Sequence, residues 1–173
     1  MTPSSTVPST HPELRLARFQ HFVETALNRR FERYEDLWEW SVTDLRAFWR
    51  LIWQHFDLQS PTEWSTELVE PVMPGAVWFP GASVNYAQQV FRHADACDAA
   101  GLAALVFQNE RMGAPIEMTW GQLQRQSASL AVELQALGVE PGDRVAAYLP
   151  NTPQAIVAFL ACASIGATWS VCS

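Results

Sequence analysis

The feature that most restricts the fold lies in residues 118–173, MTWGQLQRQSASLAVELQALGVEPGDRVAAYLPNTPQAIVAFLACASIGATWSVCS. Here an apolar period of about 3.6 residues alternates with a period of 2, and a turn signal marks every switch. Thr119 and Gln122 have capping-box spacing, and Leu123, Ser127, Leu130, Ala131, Leu134 and Leu137 follow on one predicted helical face. Gly138 ends that helix, because glycine enters the left-handed region without steric cost. Pro141-Gly142-Asp143 is a tight turn, and 144–149 alternates as a strand that Pro150 stops. Thr152 can cap a second helix with Pro153 at its first position, where the missing N–H costs nothing. That helix carries Ile156, Val157, Leu160, Ala163 and Ser164, Gly166 closes it, and 167–172 reads as another strand. Strand, crossover helix and strand make a βαβ unit, so the fold class is α/β with parallel strands. Such strands need cover on both faces, and none follows the last one, so this pattern predicts the front of a larger protein.

Upstream the character changes. Residues 1–14 are rich in Ser, Thr and Pro and read as a disordered tail without the apolar run of a secretory signal. A helix begins near residue 13, with Leu16, Phe19, Phe22, Val23, Ala26 and Leu27 on one face. Arg29, Arg30 and Arg33 follow as a solvated terminus. Residues 34–40 lead into a second helix capped by Ser41, with Asp44 three residues on. Its stripe of Leu45, Phe48, Trp49, Ile52, Trp53 and Phe56 is worth on the order of 10 kcal/mol gross when buried, so it must dock. Pro61, Pro71, Pro74 and Pro80 then exclude a long helix over 58–79, leaving an extended strap pinned by Trp64, Trp78 and Phe79. A short helix runs from 84 to about 95, and 103–108 and 115–119 pair as strands around a polar turn. The segments are therefore a tail at 1–14, a helical extension at 15–97 and an α/β segment from 98.

Composition excludes several function classes. Apolar residues make up 49% and charged residues 17%, the profile of a globular chain. The net charge is −7, and all eleven cations are arginines. Nucleic acids and anionic membranes favour clustered positive charge, so neither is an expected partner. With no lysine, this segment has no phosphate-loop lysine and no Schiff base. Gly138 and Gly142 match neither GxGxxG nor a Walker loop, and they precede a strand rather than follow one, which disfavours a dinucleotide-binding enzyme. Cys97, Cys162 and Cys172 lack zinc or redox spacing; Cys162 and Cys172, in apolar runs, read as buried free thiols. His21, His55 and His93 have no ligand spacing, and no GxSxG elbow occurs. The loop Leu149-Pro150-Asn151-Thr152 lies at the carboxyl end of a parallel strand, where open α/β sheets bind ligands, but connector is the plainer reading. No catalytic, cofactor-binding or metal residue is nominated. No run is long enough to span a membrane, and the default location is cytoplasmic.

Several motifs are familiar. Met118-Thr119-Trp120-Gly121-Gln122-Leu123 and the string from Leu137 to Ser170 resemble the opening motifs of the adenylate-forming acyl-CoA synthetases. Trp78-Phe79-Pro80-Gly81-Ala82-Ser83-Val84-Asn85-Tyr86-Ala87 is similar to a segment of their acetyl-CoA synthetase branch. Within it, YEDLWEWSV (34–42) and ASIGATWS (163–170) most resemble acetoacetyl-CoA synthetases. Gln154 departs from the glutamate relatives often carry there. The resemblance implies that 15–97 is an N-terminal helical extension and that 98–173 opens an AMP-binding domain, truncated here. It implies ATP-dependent activation of acetoacetate as an acyl-adenylate and thioester formation with CoA, with Mg2+ accompanying ATP. The family's phosphate loop, adenine-binding motifs and catalytic lysine all come later than residue 173, so the segment alone is expected to be inactive and to need the rest of its own chain. An acetyl- or propionyl-CoA synthetase and a non-catalytic α/β interaction domain are the rival readings.

Overall fold

A computed structural model describes residues 12–110 and 112–172. The chain divides into two compact units, one holding residues up to Leu58 together with Thr62–Ala82, the other Gln59–Pro61 and the residues from Ser83 onward. Residues 1–11 of the expected tail lie outside the described residues, and α1 (Pro12–Leu27) opens at the tail's last three.

In the first unit the second helical segment is two helices rather than one. Residues Tyr34–Thr43 form α2 and Leu45–His55 form α3. Ser41 is not a cap: it lies inside α2, where its hydroxyl donates to the Trp38 carbonyl (2.7 Å). Asp44 takes that role, its Oδ1 accepting from the Ala47 N–H (3.1 Å). The break follows from Leu37 and Trp40, which already give 34–43 an inward face. Val23, Phe31, Leu37, Trp40, Ala47 and Leu51 form the core. Trp40 meets Phe31 and Phe48 at ring distances of 5.6 and 5.8 Å.

Helix α3 docks on two sides, and the residues it buries fully lie outside the expected stripe. Ala47 and Leu51 enter the core, whereas Trp49 and Trp53 turn to the expected strap. Trp49 meets Trp78 at 5.5 Å; Trp53 meets Trp64 at 6.2 Å and Phe79 at 4.8 Å. Trp49 and Phe56 remain exposed, so burial of the stripe is partial. A β-bridge joins Leu68 to Trp78, and Arg50 pairs with Glu67 (3.0 Å). Gly81 sits at φ +98° with the Glu63 carbonyl oxygen 2.7 Å from where a Cβ would stand, so only glycine fits this crossing.

The second unit opens with two short helices, α4 (Tyr86–Phe91) and α5 (Ala94–Ala99), where one helix to about 95 was expected. The antiparallel strands β1 (Ala103–Phe107) and β2 (Ile116–Thr119) follow, with a register irregularity between Ala103 and Leu105. Helix α6 spans Trp120–Ala136. Its capping box is present: Gln122 N donates to Thr119 Oγ1 (3.2 Å), and Thr119 N donates to Gln122 Oε1 (2.9 Å). Leu123, Ser127 and Ala131 are buried, but Leu137, expected on the same face, is 81% exposed because it lies one residue past the helix. The buried Ser127 hydroxyl has no hydrogen-bond partner, and nothing in the structure explains it.

Strand β3 (Arg144–Tyr148), helix α7 (Pro153–Ser164) and strand β4 (Thr168–Cys172) form the expected βαβ unit. The strands pair in parallel without a break, from Arg144–Thr168 to Tyr148–Cys172. Val145, Ala147 and Trp169 are half-buried, while Tyr148 is 81% exposed, so one face of this pair is covered and the other open. Val157 and Leu160 of α7 join Ala87 and Leu123 in the second core. Gly166, at φ +76°, turns α7 back into β4.

Candidate functional site

The one ligand-facing position that sequence suggests is the carboxyl rim of the parallel pair, and its geometry follows from the βαβ turn. Pro150 cannot continue the ladder, so β3 stops, and Leu149 N closes it on Cys172 O (3.0 Å). Thr152 then occupies the N-cap position of α7 with extended angles (φ −132°, ψ 162°), but its side chain makes no capping bond, contrary to expectation. The backbone substitutes, Ala155 N donating to Thr152 O (3.0 Å). A shallow depression here is lined by Leu149, Pro150, Asn151, Ala155, Val171 and Cys172. The lining offers the Asn151 amide and the Cys172 thiol beside apolar and backbone surface.

Glu24 has its pKa lowered, first because its carboxylate accepts the Phe31 N–H (2.9 Å) and then because it accepts from Gln20 (3.0 Å). Asp36 is lowered by its bond to Arg33 (2.9 Å), and Arg33 is raised by the same pair. Burial pushes the Cys162 thiol up. These groups fasten loops and core. Arg33 is thus held by Asp36, and Arg29 stacks over the Phe31 ring at 4.8 Å, so the arginine cluster follows α1 rather than ending it. Cys162 is buried as expected, but Cys172 is exposed, because it lies on the open end of β4, and Cys97 is half-buried. Among the described residues no three His, Cys, Asp or Glu side chains gather as a metal site, and no helix is long and apolar enough to cross a membrane.

What sequence reasoning missed is the structural work of the motif around 78–87. Asn85 Oδ1 caps α4 by accepting from Gln88 N (3.1 Å), and its Nδ2 donates to the carbonyls of Ala163 (3.0 Å) and Ser164 (3.1 Å) at the end of α7. One side chain thus satisfies groups at the ends of two helices, a role that requires an amide with both donor and acceptor. Tyr86 packs on Phe159 at 5.3 Å, and Ala87 is buried in the second core. An Asn just before an apolar helical run signals the cap; its second partner, 78 residues on, carries no local signal.

Comparison with known proteins accounts for both halves of the chain. Residues 34–90 match the family model for the acetyl-coenzyme A synthetase N-terminus, and residues 91–173 match that for AMP-binding enzymes. The family division at 90/91 and the division of the compact units near 82/83 both fall upstream of residue 98. Acetoacetyl-CoA synthetase of Danio rerio is 31% identical over 94% of this chain and 24% of its own length. Its counterpart in Rhizobium meliloti (strain 1021) is 34% identical over 91% of this chain and 23% of its own length. The solved acetoacetyl-CoA synthetase from Streptomyces lividans superposes with a TM-score of 0.85 and 43% identity, covering 91% of this chain and 24% of that one. A malonamoyl-CoA synthetase of Penicillium aethiopicum is 30% identical over 81% of the chain. The chain spans about a quarter of the length of the curated relatives it matches.

Proposed function

Because this chain belongs to the AMP-binding enzymes of the acetyl-coenzyme A synthetase type, we propose that it supplies the N-terminal quarter of an ATP-dependent acetoacetate–CoA ligase. The observation that carries this reading is the similarity to acetoacetyl-CoA synthetases across both compact units, at 43% identity in the solved relative. In the proposed reaction the acetoacetate carboxylate attacks the α-phosphate of ATP and releases diphosphate, forming an acyl-adenylate. The CoA thiol, having lost its proton, then displaces AMP and leaves acetoacetyl-CoA. ATP and CoA are the co-substrates, and Mg2+ offsets the charge of the polyphosphate.

The described residues do not fit the polyphosphate or its metal ion: there is no lysine, no gathered carboxylate set and no glycine-rich loop opening a helix. No step of the reaction is assigned to them. Their part is structural, and we propose that residues 1–173 alone are inactive. A malonamoyl-CoA synthetase is also among the similar proteins, so the acyl group is part of what the test must decide. In the proposed cytoplasmic setting the substrate is small and neither nucleic acid nor membrane takes part.

The test is thioester formation from acetoacetate, ATP and CoA, followed chromatographically. A polypeptide carrying this sequence joined to the remaining three quarters of the Streptomyces lividans enzyme is expected to form acetoacetyl-CoA, and residues 1–173 alone to form none. Preference for acetate or propionate over acetoacetate by the natural longer polypeptide, or turnover by 1–173, overturns the proposal.

A further inference from the structure

Residues 62–82, the strap of the first unit, fully bury a single side chain, Leu68. Segments with so little buried apolar surface sit at the low end of a protein's range of local opening free energies. The two arms of the strap are bonded to each other. Ser65 N donates to Pro80 O (3.0 Å), Phe79 N to Glu67 O (3.0 Å) and Val69 N to Val77 O (3.1 Å), beside the Leu68–Trp78 bridge. Helix α3 meets the strap through side chains at Arg46, Trp49, Arg50 and Trp53, positions i, i+3, i+4 and i+7, so one helical face holds it. Arg46 Nη1 donates to Thr66 Oγ1 (2.9 Å) and its Nη2 to Val69 O (3.4 Å). The base is fastened apart from α3. Thr62 Oγ1 donates to Gly81 O (2.6 Å) and Ser83 N to Ser60 Oγ (3.0 Å). Gln89 takes both backbone groups of Gln59, its Oε1 accepting from Gln59 N (3.2 Å) and its Nε2 donating to Gln59 O (2.8 Å).

We propose that the strap is a hinged flap that swings off α3 in one piece. Its arms stay zipped, because their backbone bonds run between the arms and not to the helix. Its ends stay together, because Gln89 and Ser60 hold them, so opening frees little additional loop entropy. What breaks is the side-chain set: the Arg46 bonds, the Arg50–Glu67 pair and the ring contacts of Trp49 and Trp53. Water then reaches the faces of Trp53 and Trp64, whose rings meet at 6.2 Å when the flap is shut. The proposal does not depend on the ligase reading.

The test uses the natural-length polypeptide that carries this sequence, probed by hydroxyl-radical footprinting of its tryptophans and by hydrogen–deuterium exchange, both read by mass spectrometry. The paired Arg46→Gln and Arg50→Gln change is expected to raise the footprinting rate of Trp53 and Trp64 by about threefold or more, the scale that loss of partly exposed charged contacts brings. Sodium chloride at about 1 M, which screens such contacts, is expected to move the unsubstituted chain in the same direction. In both cases Trp40, in the core of the same unit, keeps its rate, and the amides of Ser65, Val69 and Phe79 keep their exchange protection. Gln89→Ala, which releases the base, is expected to speed exchange at the Gln59 amide. Unchanged rates at Trp53 and Trp64 overturn the proposal. Faster exchange of the Ser65, Val69 and Phe79 amides in step with the tryptophans also overturns it, since the strap would then unzip rather than swing. So does a rise at Trp40, which would mean that the whole unit opens; the salt arm, run on the unsubstituted chain, decides the matter if the double variant does not fold.

Discussion

Glu24 holds the loop after α1 in place, accepting from Phe31 N while Gln20 Nε2 bridges Glu24 and the Phe31 carbonyl (2.9 Å). These bonds favour the ionised carboxylate, so its folded pKa lies below the ordinary glutamate value of about 4.3. A depressed folded pKa adds stability above the unfolded value, and that stability is lost as the pH falls through the folded one. The urea midpoint of the native chain is therefore expected to fall more steeply than that of Glu24→Gln as the pH is lowered below about 4.3. Parallel curves would remove Glu24 from the account. None of this was legible beforehand: a glutamate on the polar side of a helix reads as solvated, and its partner seven residues on belongs to a loop whose path sequence does not specify. Asn85 is a half-legible case. Its position before an apolar run signals a cap, but its bonds to Ala163 and Ser164 exist only once α4 meets α7.

At the scale of elements, two N-caps of the same residue type behave differently. Thr119 makes its capping bond and receives the reciprocal one from Gln122, whereas Thr152 makes none. Thr119→Ala is accordingly expected to cost about 1 kcal/mol of unfolding free energy, and Thr152→Ala only about 0.3 kcal/mol, both read from urea titrations. Equal losses would show that Thr152 caps α7 in solution. Periodicity located α1, α6, β3, α7 and β4 because each buries one repeating face. It misplaced the cap at Ser41 because two helices meet there with a one-residue junction, and a shared apolar period conceals the break. The helix expected from 84 to about 95 is α4 alone, and α5, which runs on to Ala99, was not anticipated. The exposure of Trp38 was not readable, because sequence alone does not fix which side of α2 is covered.

At the scale of the molecule, the chain spans a quarter of its relatives and contains no lysine, and its parallel strand pair is covered on one face. Ligands that bind a folded chain raise its melting temperature by mass action. Millimolar ATP with Mg2+, or millimolar CoA, is expected to shift the melting temperature of residues 1–173 by less than about 1 °C in scanning fluorimetry. A concentration-dependent rise of several degrees would place a nucleotide site within these residues. The amino-acid sequence alone determined the βαβ unit, its parallel sense and the absence of lysine chemistry, because period, turn residues and composition are local properties. Kinship was equally legible, since motif strings survive as linear text. Only the tertiary structure decided which tryptophans are buried, which asparagine ties two helices and which caps form. Those outcomes depend on contacts between residues tens of positions apart, and the free energy of such contacts exists only after the chain has folded.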